Sequence, residues 1–507
     1  MKNSGKHNFK SKAVLLILFV FMGMAACDDR WVEMNTDPNR VSVMPDEYLF
    51  TSAVKQTFRT QIDRFEVDFG GQYAHIWVSH NWVREVDKYL DYLAQGDIAE
   101  RVYNGMYNGS IRNINEVLVL TGEGGAFENK MRNSQACIIA IVNFAKLVDL
   151  FGDVPYFEGG MGKYDIMKPK YDKQQDIYND MISKLKECIT VLKSGNLKDA
   201  YPAGEDPLFA GKVDNWIRFA NSLRLRLAMR AKVADAAKYN AVVTECLSLP
   251  LIETNLQNAK LICYDSENGD LYNPWNNYYT DVSNGTYILN WSEKFIETLK
   301  GTNDPRLPFF STKNKKGEYI GMPNGLNDDY YSGWSRANSA MPTAGFFAKD
   351  QPMYLMAASE IWFLRAEAVL DGLGTGNANE MYQTGIKMAM EQWDIKLTDI
   401  QNYITNEIEA TLYGDKKNSV RQIATQLWIS FVPNAFESWS TIRRTGYPEI
   451  PVREYEALSK GATNGVMPSR IKYPYTVEKA VNGENLQNAI TSMGGDKIDI
   501  KLWWNKK

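Results

Sequence analysis

The sequence predicts a mainly α fold: a scaffold of tetratricopeptide-like helix pairs carrying a long, irregular, aromatic-rich insertion. Three observations predict it. Apolar residues recur at three- and four-residue steps through most of the chain. Between Met353 and Trp393, two such stretches are joined by Gly372, Gly374 and Gly376, the pattern of a helix–turn–helix repeat. From Leu261 to about Gln351 the helical period disappears, and Trp, Tyr and Phe crowd among Gly, Asn, Asp and Pro.

The chain begins with a positive segment (Lys2, Lys6, Lys10, Lys12) and an apolar run, Ala13 to Met22. That run is too short for a membrane-spanning helix of ~20 residues and reads as a signal sequence. It ends in Met24-Ala25-Ala26-Cys27. Small residues before a cysteine resemble a bacterial lipobox. On that reading residues 1–26 are a lipoprotein signal peptide, Cys27 becomes the lipidated N-terminus, and residues 27–45 are a tether. Asp28 and Asp29 resemble the surface-export signal of Bacteroidota-type lipoproteins. An ordinary signal peptide with a chance cysteine is the alternative. No low-complexity linker divides residues 46–507, which read as one domain.

Helical periodicity follows in order at Pro45–Asp63, Glu66–Tyr73, Ala99–Thr121, Glu128–Phe151, Lys173–Leu192, Asp214–Val233 and Ala234–Leu247. Gly152 and Pro155 mark a loop after Phe151. In Asp214–Val233 the stripe Trp216, Ala220, Leu223, Leu227 and Ala231 should be buried. Arg218, Arg224, Arg226 and Arg230 should form a solvated or ion-paired face. In the repeat at Met353–Trp393, Leu355, Ala358, Trp362, Ala366 and Val369 share one face of the first helix. Small residues, Gly385 among them, should let its partner approach closely. Helices follow at Leu397–Tyr413, Asn418–Phe431 and Pro433–Arg444. The tail, with Pro448, Pro451, Pro468 and Pro474, reads as irregular.

Composition excludes several functions. Loss of the four signal-sequence lysines would take the net charge from −4 to −8, with no block of basic residues, so nucleic acid is not an expected partner. Cys137, Cys188, Cys246 and Cys263 contain no C-x-x-C pair and read as buried free thiols, although an extracellular address permits a disulfide. His75 and His80 are five apart with no acidic residue between them, which is not metal-ligand spacing. No metal and no cofactor are expected.

Two stretches are candidates for ligand binding. Tyr73 to Trp82 combines Trp77 and Trp82 with Asn81 and Arg84 nearby. The insertion, about residues 261–351, is too long to be a simple connector, and long ordered loops on a rigid scaffold are where binding residues concentrate. Its candidates are Trp275, Tyr278, Tyr279 and Trp334. Flat rings cover the C–H face of a sugar while Asn, Asp and Arg take its hydroxyls. At least half of the insertion's aromatics must instead form its own core.

Several stretches in this order resemble the SusD/RagB family, specifically its SusD-like second subgroup. They are Asn35–Asn39 (NTDPN), Leu147–Tyr156 (LVDLFGDVPY), Asn215–Arg230, Ser359–Gly372, Gln426–Pro448, and Arg470–Pro474 followed by Asn482 and Asn485. The resemblance implies a SusD-like fold with four tetratricopeptide-like pairs. It also implies a lipid-anchored position on the extracellular face of the cell outer membrane. The partner it implies is a SusC-like TonB-dependent transporter, for which the protein acts as a lid. It implies capture of an oligosaccharide, or in some members a peptide, and no catalysis. In the family the helix-pair surface faces the transporter, which leaves the two aromatic stretches for the ligand. A scaffold that binds no small ligand is one alternative. A glycoside hydrolase is another; it would need two carboxylates facing each other across a cleft, from among Asp265, Glu267, Asp270, Asp281, Asp328 and Asp329.

Overall fold

The computed structural model describes residues 44–505 except 62–65, 68, 80–83, 91–92, 269–270, 278–288, 332–333 and 335–337. The signal sequence, Cys27 and most of the tether lie outside the described residues. Residues 46–507 form one compact unit. Its helices are α1 (Asp46–Gln61), α2 (Leu93–Met106), α3 (Arg112–Thr121), α4 (Lys130–Phe151), α5 (Gln174–Ser194), α6 (Val213–Ala231) and α7 (Ala236–Leu247). The insertion holds α8 (Glu293–Gly301). After it come α9 (Ala358–Leu370), α10 (Ala378–Glu391), α11 (Leu397–Asn406), α12 (Lys416–Ser430), α13 (Ala435–Thr445) and α14 (Val477–Met493). Four short strands, β1 (Trp77–Ser79), β2 (Ala259–Leu261), β3 (Leu289–Trp291) and β4 (Met353–Met356), form two antiparallel pairs, β1 with β3 and β2 with β4.

The helices pack as successive neighbours, α4 on α5, α5 on α6, α6 on α7, then α9 on α10 and α12 on α13, while α6 meets α9 and α9 meets α12. A repeat unit cannot bury its apolar face alone, and this chain of neighbours supplies the cover. Helix α4 shows why. Asn129 caps it by accepting from the N–H groups of Met131 and Arg132 at 3.0 and 3.2 Å. The helix is long and apolar enough to cross a membrane, yet 94% of that stretch is buried by its neighbours. Gly385 of α10 meets Phe363 of α9 so closely that an added Cβ would lie 2.6 Å from the ring. The close approach expected from small residues is therefore met at this contact.

The buried stripe of α6 is the expected one, and of the two expectations for its arginines the ion-paired one holds. Arg224, Arg226 and Arg230 are buried as well. Arg226 makes a two-pronged pair with Glu360 of α9, both contacts at 2.5 Å. Arg230 pairs with Asp149 of α4 and, at 2.6 Å, with Glu437 of α13. Asp149 also accepts from the Tyr178 hydroxyl at 2.6 Å and the Trp504 indole at 2.7 Å. Arginine suits this role because its planar fork satisfies carboxylates geometrically even where water is excluded. The network ties helices from both halves of the chain to one centre.

At the edge of the same centre, Glu66 accepts from the Phe436 N–H at 2.8 Å and lies 3.8 Å from Lys146. Burial pushes the Glu66 carboxyl up to about 7, against the pull of Lys146. Its folded pKa exceeds its unfolded value of 4.5, so the unfolded state releases its proton first as pH rises. Wild-type stability should therefore carry a component that is full below pH 4.5 and is lost as pH climbs through about 7. Glu66→Gln should flatten that part of the stability profile in urea titrations between those limits. An unchanged slope would show that Glu66 is ionised throughout.

Two expectations require correction. Met353–Met356 is a strand, not the first turn of a helix, because it pairs with β2, which lies more than ninety residues earlier. Helix α9 begins at Ala358, and its neighbours bury it on most sides. Ile361, Phe363 and Leu364 are inside, while Trp362 is half-buried beneath Arg365, its indole donating to the Glu253 carbonyl at 2.9 Å. The tail is irregular only as far as Pro474; α14 follows, with Asn482, Leu486 and Ala489 turned inward.

Candidate ligand-binding site

The insertion is attached to the scaffold by an aromatic core. Trp291 stacks on Phe295 at 4.7 Å, and Phe346 meets Trp393 of the scaffold at 5.2 Å. Trp275 lies parallel to Phe347 at 5.3 Å. Buried Arg306 adds a polar tie, pairing with Asp304 at 2.6 Å and donating to Gln426 of α12 at 2.8 Å. Such rings supply large apolar area at defined angles, which a segment without regular structure needs for order.

The β1–β3 ladder joins the two aromatic stretches that the sequence singles out. Trp77 pairs with Trp291, Val78 with Asn290 and Ser79 with Leu289. Successive side chains on a strand point to opposite faces. Trp77 therefore enters the main core, while Val78 joins a separate small cluster with Met322 and Leu326. Trp334 and Leu458 pack against that second cluster.

The surroundings of Trp334 are held by a buried ion pair. Asp87 accepts from Asn324 at 2.9 Å and from the Gly325 N–H at 2.6 Å, and lies 3.4 Å from Arg453. Arg453 stacks over Tyr89 at 3.5 Å and donates to the Asp87 carbonyl at 2.5 Å. Gly325 has φ +76°, and a Cβ there would lie 2.3 Å from the guanidinium. Burial raises the Asp87 carboxyl even with Arg453 beside it. His75, hydrogen-bonded to the Tyr89 hydroxyl at 3.0 Å, is pushed well below the usual histidine range by burial and stays neutral. The segment after Gly325 is held by the Asn327 N–H and side chain, which donate to the carbonyls of Ala457 at 2.9 Å and Glu456 at 2.7 Å.

The six aromatic candidates divide. Trp77 is fully buried, wedged over Gly71 and edge-on to Trp275 at 5.5 Å; Trp275 is 3% exposed. Both rings serve the core and offer no face to solvent in this structure. Trp334 is half-buried. Trp82, Tyr278 and Tyr279 lie outside the described residues. The sequence did not reveal Asp87 and Arg453, which are 366 positions apart and carry no local motif. Among the described residues no group of three His, Cys, Asp or Glu side chains is placed to hold a metal ion. Cys137, Cys188, Cys246 and Cys263 are free thiols, and Cys137 alone is not fully buried.

Residues 38–474 match the model of the SusD-like family's second subgroup, described as starch-binding and associating with the outer membrane. The chain belongs to this SusD-like family. Solved structures agree with the assignment. A chitin-binding protein is 25% identical with a TM-score of 0.77, over 91% of this chain and 99% of that one. A SusD homologue from Bacteroides uniformis is 26% identical with a TM-score of 0.76, over 91% and 100%. A chitin-binding SusD homologue from Flavobacterium johnsoniae, at 22% identity and a TM-score of 0.76 over 90% and 98%, shares the fold. No curated protein sequence matches the chain. In this chain the SusD-like fold is a helical scaffold with an irregular, aromatic-rich insertion.

Proposed function

We propose that this SusD-like protein is a surface lipoprotein, anchored through Cys27, that captures an oligosaccharide and passes it to a SusC-like TonB-dependent transporter, over which it acts as a lid. The observation that carries the binding role is the β1–β3 ladder, which unites two aromatic stretches some two hundred residues apart and sets Trp334 on a small, separately packed cluster. The outer-membrane association in the family description and the chitin-binding names among the structural neighbours support the membrane address and the glycan. The ligand side chains on this reading are Trp334, Trp82, Tyr278 and Tyr279, while Trp77 and Trp275 belong to the main core.

The role is binding without catalysis. Of the insertion's carboxylates, Asp328 is engaged by Lys88 at 2.7 Å and Glu267 by Lys349 at 2.6 Å, which suits surface ion pairs rather than an acid and a nucleophile across a bond. Shallow stacking gives each ring about 0.5–1.5 kcal/mol, so several rings together yield a modest affinity that permits release to the transporter. Trp334→Ala is expected to weaken oligosaccharide binding by up to about tenfold while the protein still unfolds cooperatively, and Trp334→Phe should recover most of the loss. Calorimetry on the three proteins checks this. Wild-type affinity in Trp334→Ala would remove the ring from the site.

A further inference from the structure

A concave site lined by neither Trp77 nor Trp334 has a cationic chemistry. It is a cavity of about 390 Å³ between α1, the loop before α6, strand β2 with the residues after it, and the start of the insertion. Lys55 and Arg59, four apart on α1, reach it from one side, and Lys212 and Lys260 from the others. The ammonium groups of Lys55, Lys212 and Lys260 make no ion pair or hydrogen bond among the described residues. One carboxylate lies in the lining, Asp206, and it is 2% exposed and already saturated. It accepts from the N–H groups of Leu208 and Phe209 at 3.1 Å each, from Gly211 N–H at 3.0 Å and from the Trp216 indole at 2.8 Å. That carboxylate shapes its own loop instead of neutralising the cavity. In a chain of net negative charge, these three lysines are a local excess of positive charge.

The rest of the lining is suited to a sugar ring. Tyr264 is 57% exposed, with Ile262 and Leu271 exposed beside it. Its position is fixed by the backbone, since Tyr264 N–H donates to the Leu271 carbonyl and Leu271 N–H to that of Asn268, both at 2.9 Å. Buried Leu208, Phe209 and Met353 contribute the apolar part of the wall. An exposed aromatic ring beside unpaired ammonium groups matches a saccharide that carries an anionic substituent: C–H groups against the tyrosine, carboxylate or sulfate against the lysines.

We infer that this cavity binds an acidic sugar residue, a uronate or a sulfated unit, of a glycan held by this protein. The inference rests on the glycan-binding reading above and adds a second subsite with its own charge selectivity. The phosphate of nucleic acid would need a broad basic surface, which the acidic chain does not offer. An acidic peptide would satisfy the lysines but not the open ring.

The test is calorimetry of the lipid-free protein with oligogalacturonates, their carboxyl-reduced neutral counterparts and chondroitin sulfate oligosaccharides, each at low and high salt. At least one acidic form should bind about tenfold more tightly than the neutral one, the advantage shrinking as salt screens it. The double variant Lys212→Ala, Lys260→Ala should erase that advantage with an unchanged melting temperature. Lys55→Gln serves the same purpose should the double variant fold poorly. Equal affinity for acidic and neutral forms, an advantage that survives in the lysine variants, or equal competition by a polyglutamate peptide would each overturn the subsite. Binding of neutral glycans alone would remove this inference and leave the glycan reading standing. Silence toward every glycan would remove both.

Discussion

Replacing Glu437 by alanine is expected to destabilise the protein by about 3–5 kcal/mol, read as a lower urea midpoint with an unchanged slope. Glu437 is buried, 2.6 Å from Arg230 and 3.4 Å from Arg226, with Lys146 close enough to act on its charge. Burial alone would raise its pKa, but Arg226, Arg230 and Lys146 outweigh that and hold it at about 2. Truncation leaves Arg226 with Glu360 and Arg230 with Asp149 but removes the carboxylate they share, so buried positive charge is left in excess, the costly way to break such a cluster, since the remaining charges cannot reach water. The linkage has a definite sign. A carboxyl whose folded pKa lies below its unfolded value of 4.5 contributes stability that is full above pH 4.5 and is lost as pH falls toward 2. Glu437→Gln should therefore lose less at neutral pH than the alanine variant and should lack this acid-sensitive component. A loss under about 1 kcal/mol for Glu437→Ala would mean the network relaxes around the gap or admits water.

The second large effect is expected at Trp77→Ala, again about 3–5 kcal/mol, the range for deleting a fully buried aromatic side chain. Its ring contacts Trp275 and Trp291 at 5.5 and 6.2 Å, and its indole donates to the Val67 carbonyl at 3.4 Å. The ring also fills the space over Gly71, where an added Cβ would lie 2.0 Å from the indole. Gly71→Ala should push on the same ring and destabilise from the other side. Because Trp77 pairs with Trp291 across the ladder, its loss should loosen the frame that carries Trp334, so binding falls as a consequence of stability. Chemical denaturation and calorimetry on one preparation separate the cases. Full stability with lost binding would return Trp77 to the ligand; lost stability keeps it in the core.

The contrast between Trp77 and Trp334 shows where sequence reading stops. Periodicity placed the long helices well: Lys173–Leu192 was expected and Gln174–Ser194 is found, Asp214–Val233 was expected and Val213–Ala231 is found. Each carries its own apolar stripe, so the signal is local. The strand Met353–Met356 was invisible because four apolar residues read alike as strand or helix turn, and its partner is remote. Helix α14 escaped because it turns only three residues inward, too few for a stripe. For the arginines of α6, charge on a helix normally marks a wet face. Here Glu360 and Glu437, both distant in sequence, bury them in pairs.

For the proposed site, composition singled out two segments but not which of their described rings are buried. Trp77 and Trp275 look no different in sequence from Trp334. The distinction comes from strand alternation at β1 and from the partner ring Phe347, and both require the fold. The lysines of the second cavity come from three separate segments, so no motif could announce them.

The most direct test of the central claim is binding of the lipid-free protein, residues 28–507, to neutral plant, host and microbial oligosaccharides beside peptide digests, measured by calorimetry. The expected result is a glycan that binds in the micromolar-to-millimolar range, about −8 to −4 kcal/mol, and that depends on Trp334. Binding of peptides with none to any glycan would contradict it, as would a glycan whose affinity ignores Trp334.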